Sequence, residues 1–239
     1  RPENFIDAPG AGARTWVVCP FVSPDGSRIA VGVDIPAPSP YRVYEVSSRR
    51  ELNRDGSMFG GGGANFFTFS PDARQMMASN GLSIVLRDSD TGAVITDPLV
   101  ERGTMPDWAP DGDRMVFARP GGTSPPCFPG FPCGVPGTDS ASLELLVRSG
   151  GAWSPGATLV RFDGQNNYYP TFSPDGSWVL FNRSPSNANS FDAPDAQVWI
   201  VPADGSAPAR HLATASSGGD SWPKWDPTIY RHRGGGLMW

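Results

Sequence analysis

Apolar residues along the chain fall in short runs, and polar segments rich in glycine and proline separate these runs. The run Trp-Val-Leu-Phe at residues 178–181, for example, comes directly after a Pro-Asp-Gly-Ser segment. Many short strands joined by many turns are typical of all-β proteins. The pattern therefore predicts an all-β fold.

One phrase recurs at the turns: an aromatic residue, one or two small residues, Pro-Asp-Gly and then an apolar strand. Its prolines are separated by 47, 39, 64 and 53 residues, and a motif that recurs at a period of about forty is typical of repeat architectures. The copies lie at residues 21–26, 69–73, 108–112, 172–176 and, in a reduced form, 225–227. A repeat describes a scaffold, so it indicates the fold better than the function.

Alignment of the copies predicts four strands in each unit, ordered from an inner to an outer strand. The predicted strands are 15–21, 28–33, 42–46 and about 51–54 in the first unit, 66–69, 75–79, 83–87 and 93–96 in the second, 105–108, 114–118, 143–148 and 158–162 in the third, and 167–172, 177–182, 197–202 and 209–213 in the fourth. A fifth unit at residues 220–239 offers an inner strand and one return strand at 237–239.

Four-stranded units at this period, each led by an aromatic-Ser-Pro-Asp-Gly turn, resemble the blades of a TolB-like (WD-like, PD40 repeat) β-propeller. The resemblance covers residues 15–239 and leaves residues 1–14 as an N-terminal extension. It implies that the motif turn joins the innermost strand of a blade to the second strand. We therefore expect antiparallel four-stranded blades, four of them complete and a fifth truncated, within a six-bladed ring.

The truncated fifth unit leaves a strand edge unpaired, which natural proteins avoid. A propeller closes radially and leaves only short, protected edges. We therefore expect the sequence to be part of a longer propeller. Completion of the ring by a second chain is the alternative.

The motif aspartates, Asp25, Asp72, Asp111 and Asp175, are predicted to be structural turn residues. Proline presets φ at the first turn position, the aspartate side chain bonds its own backbone, and glycine accepts positive φ. Ala73 replaces glycine in the second copy, so we expect that turn to differ slightly in shape. Paired catalytic carboxylates or metal ligands are the alternative, but recurrence in each unit favours the turn.

The long insertions all follow second strands, at residues 34–40, 120–142 and 184–196. Because strands alternate in direction, these insertions and the blade-to-blade loops lie on one face of the ring, which we call the insertion face. Repeat proteins tend to carry their variable loops on the binding face. The predicted partner-binding residues on this face are Tyr168, Tyr169, Arg183, Asp192, Asp195 and Trp222.

Each of these residues also has a simpler interpretation. Tyr168, Tyr169 and Trp222 are amphipathic and suit partner contacts, but packing between blades explains them equally well. Arg183 ends a second strand, where a salt bridge within the ring is the alternative. Asp192 and Asp195 would suit calcium or a glycan, but a solvated polar loop explains them more simply.

Two cysteines indicate the compartment. Cys127 and Cys133 bracket a Pro- and Gly-containing turn, which predicts a small disulfide-closed loop and therefore an oxidising compartment. Two unrelated thiols in an exposed loop are the alternative. Because disulfides persist in oxidising compartments, we expect a periplasmic or secreted protein.

The charge and composition of the chain argue against several classes of partner and site. The net charge is −5 and the basic residues are scattered, so nucleic acid is not an expected partner. No apolar stretch approaches the length that crosses a bilayer. We predict no cofactor, and no metal site because the chain has only two histidines. We also expect no nucleophilic catalysis, because the chain has no Gly-x-Ser-x-Gly elbow.

The sequence therefore predicts a non-enzymatic scaffold that binds a protein or peptide partner through the insertion face. The alternative is a propeller associated with an enzyme, either the gating domain of a prolyl-oligopeptidase-type hydrolase or a carbohydrate-active propeller. A carbohydrate-active propeller needs two carboxylates about 5–9.5 Å apart across the channel mouth. Asp107 and Asp220 are the candidates for that pair.

Overall fold

The computed structural model describes residues 17–33, 41–55, 66–79, 83–121, 140–185, 190, 193–215, 219–226, 229–231 and 237–238. Four four-stranded antiparallel sheets occupy most of this part of the chain, and each sheet is one blade. The strands are β1 Val17–Val22, β2 Arg28–Val33, β3 Tyr41–Glu45, β4 Glu51–Asp55, β5 Phe66–Phe69, β6 Gln75–Ser79, β7 Ser83–Asp88, β8 Val94–Glu101, β9 Thr104–Trp108, β10 Arg114–Arg119, β11 Ser142–Ser149, β12 Ala152–Val160, β13 Asn166–Phe172, β14 Trp178–Ser184, β15 Gln197–Pro202 and β16 Arg210–His211.

Each blade is a simple meander in which every strand pairs with the next one along the chain. The inner strands β1, β5, β9 and β13 contact one another in that order, so the blades are arranged side by side around a common axis. The prediction of an all-β fold built from four-stranded antiparallel blades is confirmed.

Blade packing explains why the strands are buried on both faces. In β6 the adjacent residues Met76 and Met77 are both fully buried but belong to different clusters. Met76 packs with Tyr41 and Phe67 between the first two blades, whereas Met77 packs with Phe117 between the second and third. Side chains alternate between the two faces of a strand, so one strand supplies the core on either side of its blade.

Three outer strands differ from the prediction. The outer strand of the second blade, predicted at residues 93–96, extends over Val94–Glu101. The outer strand of the third blade was predicted at residues 158–162 but spans Ala152–Val160, because Gly150 and Gly151 both have positive φ and form a tight hairpin directly after β11. The outer strand of the fourth blade, predicted at 209–213, is limited to Arg210–His211, and a 3-10 turn at Ala213–Ala215 follows.

The fifth unit also differs. Residues 220–226 form no strand, and a short hairpin pairs β17, Tyr230–Arg231, with β18, Leu237–Met238. The return strand predicted near residue 237 is therefore present, but its partner lies after the reduced motif copy instead of before it. Trp225 Nε1 donates a 3.0 Å hydrogen bond to the Thr171 carbonyl oxygen, which holds the 220–226 segment against β13.

The motif turns share one hydrogen-bond pattern. In each copy the aspartate Oδ1 accepts the backbone N–H two residues later, at 2.9 Å for Asp25, 3.1 Å for Asp72, 2.9 Å for Asp111 and 3.0 Å for Asp175. Three of the four aspartates also accept a hydroxyl from the serine two residues earlier. These bonds hold the pKa of Asp25 and Asp72 below the ordinary value, with the serine hydroxyl as the largest cause.

The expected distortion of the second turn is not present. Ala73 has φ 57°, close to the 70° of Gly26 and the 69° of Gly176 at the same position. A left-handed conformation costs an alanine about 1–2 kcal/mol. The hydrogen bonds of Asp72 fix this geometry, and the Ala73 methyl group is buried at 1 % exposure, which offsets part of the cost.

Candidate functional site

Three aligned segments near the propeller axis share a residue with positive φ directly before a proline. Met105, Tyr169 and Trp222 have φ of 52°, 52° and 61°. Left-handed φ in a bulky residue is an outlier, and a residue before proline normally adopts an extended conformation. The same local strain is therefore repeated in three consecutive units.

A β-bulge accompanies this strain in the inner strands. The register of β9 on β10 and of β13 on β14 shifts at the proline step, whereas β5, which has Phe67 at the proline position, pairs with β6 without a shift. Proline cannot donate a ladder hydrogen bond, so it is tolerated at edge strands and bulges. A bulge also re-aims the neighbouring side chains.

A small cavity of about 20 Å³ lies where these segments meet, and we call it the central cavity. Its wall combines strained residues, aromatic rings and two opposite charges. The described side chains that define it are Phe21, Phe66, Met105, Asp107, Tyr169, Trp222 and Lys224.

The two charged residues occupy equivalent positions in the repeat. Asp107 and Lys224 each stand three residues before a motif proline, and the other units place Phe21, Thr68 and Thr171 there. This position also links neighbouring blades. Thr68 Oγ1 accepts the Trp108 backbone N–H at 3.1 Å, and Asp107 Oδ2 accepts the equivalent N–H of Phe172 at 2.7 Å.

Asp107 has the most perturbed carboxyl group of the site. Desolvation raises the pKa of Asp107 to about 6, because surrounding protein replaces most of the water around the charged form. The positive charge of Lys224, the amide of Phe172 and the hydroxyl of Thr171 act in the opposite direction but do not cancel this effect. Asp107 therefore titrates near neutral pH while facing the cavity.

Three of the aromatic rings that line the cavity pack on one another. The rings of Tyr169 and Trp222 stack, with centroids 4.8 Å apart and planes 16° apart. Phe66 packs on both, at 5.9 Å from Tyr169 and 6.1 Å from Trp222. Phe66 and Tyr169 are buried, whereas Trp222 is partly exposed, so Trp222 is the one of these three rings that solvent reaches.

A buried asparagine holds Trp222 in place. Asn182 is fully buried at the end of β14, its Oδ1 accepts the Trp222 backbone N–H at 2.8 Å, and its Nδ2 donates to the Asp220 carbonyl oxygen at 2.7 Å. The end of β14 leads into the insertion that precedes β15. The aromatic stack is therefore fixed at the insertion face.

The structure separates the predicted partner-binding residues. Tyr169 and Trp222 meet at the central cavity. Tyr168 and Tyr169 are both buried in one core cluster, and burial raises the pKa of the Tyr168 hydroxyl group. Arg183 is bound to both carboxylate oxygens of Asp163 and lies 4.7 Å from the centre of the Trp199 ring. Asp195 is partly exposed beside the insertion.

Some predictions fall outside the described residues. Asp192 and the cysteines Cys127 and Cys133 are among these, so the disulfide stays a prediction. Within the described residues, no three His, Cys, Asp or Glu side chains cluster closely enough to hold a metal ion. No helix in the same part of the chain is long and apolar enough to cross a membrane.

Sequence reasoning missed three residues of the cavity, Phe66, Met105 and Lys224. The signal was present, because each lies three or five residues before a motif proline, at the positions of Asp107 and Tyr169. Alignment of the residues that precede each motif proline, in addition to those that follow it, would have identified them. Asp220, the other candidate carboxylate, is not part of the cavity wall.

Comparisons with known proteins identify the architecture. No family model and no curated protein matches the sequence. A solved structure of a TolB protein from Agrobacterium tumefaciens matches with a TM-score of 0.61 and 20% identity, over 90% of this chain and 68% of that one. TolB from Acinetobacter baumannii matches with a TM-score of 0.49 and 17% identity, over 78% of this chain and 40% of that one.

The hydrazine synthase of Kuenenia stuttgartiensis matches with a TM-score of 0.49 and 14% identity, over 81% of this chain and 53% of that one. At these identities the similarity concerns the fold alone. The meander blades, the contacts between inner strands and the match to the Agrobacterium structure agree with one another. The chain therefore has a β-propeller fold similar to that of TolB.

Proposed function

We propose that this chain is a non-enzymatic scaffold that binds a protein or peptide partner at the insertion face, beside the central cavity. The observation that carries the proposal is the Tyr169–Trp222 stack, in which Trp222 is partly exposed, Tyr169 is buried beneath it, and both have strained backbone. Backbone strain persists only where the surroundings enforce it, and it clusters at functional sites. Exposed aromatic rings held rigidly are typical anchors for a partner.

The placement of the insertions supports the same face. The chain leaves β2, β10 and β14 and returns to β3, β11 and β15 at the edge where Asn182 holds Trp222. Loops of variable length on one face of a rigid scaffold are the usual carriers of binding. An extracytoplasmic location, periplasmic or secreted, is part of the proposal and rests on the spacing of Cys127 and Cys133.

One observation favours the enzymatic alternative. Asp107, with its pKa raised to about 6, has the property of a general acid or base that works near neutral pH. A glycosidase needs a second carboxylate facing the first, and Asp107 is the one carboxylate among the described residues of the cavity wall. The scaffold therefore remains the stronger proposal.

Site-specific photo-crosslinking in native cells tests the proposed face. A photoreactive residue is placed at Pro194 or Glu101, which are exposed at the insertion face, or at Thr91 or Ser206, which are exposed at the turn face. We expect a light-dependent adduct of defined mass from the first pair only, and its yield falls in the Trp222→Ala variant.

Equal adducts from both faces, or none from Pro194 and Glu101, would overturn the proposal. Hydrolysis of a glycoside by the purified chain that is lost in Asp107→Asn would replace it with the enzymatic alternative. The turn-face positions are matched controls because they are equally exposed and lie on the same blades or their neighbours.

A further inference from the structure

We propose that the central cavity binds a single cationic group, an ammonium or guanidinium carried by a basic side chain of the partner. This inference rests on the proposed binding function and specifies the chemistry that the partner presents. The cation enters between the Asp107 carboxylate and the stacked rings of Tyr169 and Trp222.

The first support is the carboxylate itself. No ion pair among the described residues involves Asp107, although its side chain is largely enclosed by protein. Its described partners are a backbone amide and a threonine hydroxyl, which are neutral donors. Buried charges in proteins are normally paired. A cationic group from outside supplies the missing counter-charge.

The second support is the aromatic wall. Phe66, Tyr169 and Trp222 lie within about 6 Å of one another and present ring surfaces at the same cavity. Ring faces carry negative electrostatic potential, so they attract cations and exclude anions. Carboxylate and rings thus favour the same sign of charge.

The third support is the position of Lys224, a cation of the chain itself that lies near both an aromatic ring and Asp107. Its Nζ lies 5.7 Å from the centre of the Phe21 ring at the cavity rim. Its charge lowers the pKa of Asp107, but the two side chains form no ion pair. Lys224 therefore competes electrostatically with an incoming cation without neutralising the carboxylate.

The size of the cavity limits the ligand. About 20 Å³ is room for a group the size of one or two water molecules and is far below the 300–1,000 Å³ that is usual for drug-sized ligands. The charged tip of a single side chain suits this space, whereas a folded segment does not. The partner therefore contributes one lysine or arginine side chain to the cavity, while the rest of the contact lies on the insertion face.

Titration with small probe ions tests the inference without knowledge of the partner. The probes are methylguanidinium and n-butylammonium chloride, with sodium acetate as the anionic control. The readout is the indole N–H signal of Trp222 in a two-dimensional ¹H–¹⁵N spectrum, assigned with Trp222→Phe. We expect a saturable shift with both cations and none with acetate.

Two charge variants give opposite predictions. Asp107→Asn keeps the shape and the acceptor for Phe172, and we expect it to weaken cation binding at least tenfold. Lys224→Met removes the competing charge and keeps an apolar stem, and we expect it to strengthen binding severalfold. A spectrum that is otherwise unchanged shows that each variant is folded.

Several outcomes would overturn the inference. These are no saturable shift with either cation, equal binding by Asp107→Asn, or binding of acetate that Lys224→Met abolishes. If the inference alone is wrong, the adduct from Pro194 persists in Asp107→Asn. If the proposed function is wrong, that adduct is absent in the parent chain as well.

Discussion

Replacement of Asp107 by asparagine is expected to change how the stability of the protein depends on pH. The folded state raises the pKa of this carboxyl from its ordinary value of 3.8 to about 6, chiefly through desolvation. Folded protein therefore binds a proton more readily than unfolded protein between these two values. Asparagine removes the titration but keeps an oxygen that can accept the Phe172 N–H.

The direction in which stability changes with pH follows from proton binding by the two states. Below pH 3.8 the carboxyl is neutral in both states, and the folded state bears no cost of burying a charge. As pH rises through about 6 the carboxylate must form inside the protein, and this part of the stability is lost. A shift of about two pH units corresponds to roughly 3 kcal/mol, at 1.36 kcal/mol per unit.

The measurement is a difference between two proteins, which removes the contribution of the other titrating groups. Urea unfolding is followed by tryptophan fluorescence at pH values from 3.5 to 8 for the parent chain and Asp107→Asn. We expect the stability of the parent relative to the variant to fall by roughly 3 kcal/mol across this range. Most of the change is expected between pH 4 and pH 6.5.

A flat difference across the whole pH range would refute the reasoning, because it would mean that Asp107 titrates as in an unfolded chain. A difference that rises with pH would mean that a cation stabilises the carboxylate in the free protein. The second result would also contradict the absence of an ion pair among the described residues. Asp204→Asn is a control of opposite sign, because hydrogen bonds from Ser206 lower the pKa of this exposed carboxyl, so its contribution to stability is lost as pH falls and not as pH rises.

Three further predictions concern the scaffold. Gly26→Ala places a methyl group at φ 70° with no atom within 4 Å to pack against, so we expect a loss of about 1 kcal/mol in a denaturant melt. Asn182→Ala removes three hydrogen bonds to buried backbone groups; a loss of about 2–4 kcal/mol and faster amide exchange around Trp222 are expected. Mass spectrometry without reduction is expected to find Cys127 and Cys133 linked, and free thiols would remove the argument for an oxidising compartment.

Strand positions were predictable wherever turn residues mark both ends. The strands Phe66–Phe69, Gln75–Ser79 and Gln197–Pro202 lie where the sequence placed them. The errors lie on outer strands such as Ala152–Val160, which have few inward-facing residues and so a weak apolar pattern. The predicted change of turn shape at Ala73 was wrong, because hydrogen bonds and burial outweigh the preference for glycine at this position.

The candidate site was only partly predictable. Tyr168 and Tyr169 were predicted together and both are buried in one core cluster, but of the two only Tyr169 lines the cavity. The bulge between them and Thr171 breaks the alternation of side chains, and sequence period alone does not reveal where such a break occurs. The approach of Lys224 to Asp107 depends on the arrangement of three blades, which no local pattern describes.

The strain and the chemistry of the central cavity have a common origin in the repeat. In the third, fourth and fifth units a proline removes a backbone donor and the residue before it adopts positive φ, and in the third and fifth units the residue after it, Asp107 or Lys224, lines the cavity. The same bulge leaves the next backbone N–H available to the neighbouring blade, where Asp107 accepts it from Phe172. Thr68 makes the equivalent bond with a neutral hydroxyl. Exchange of one side chain at this position therefore places a carboxylate at the structural link between blades, without any change of fold.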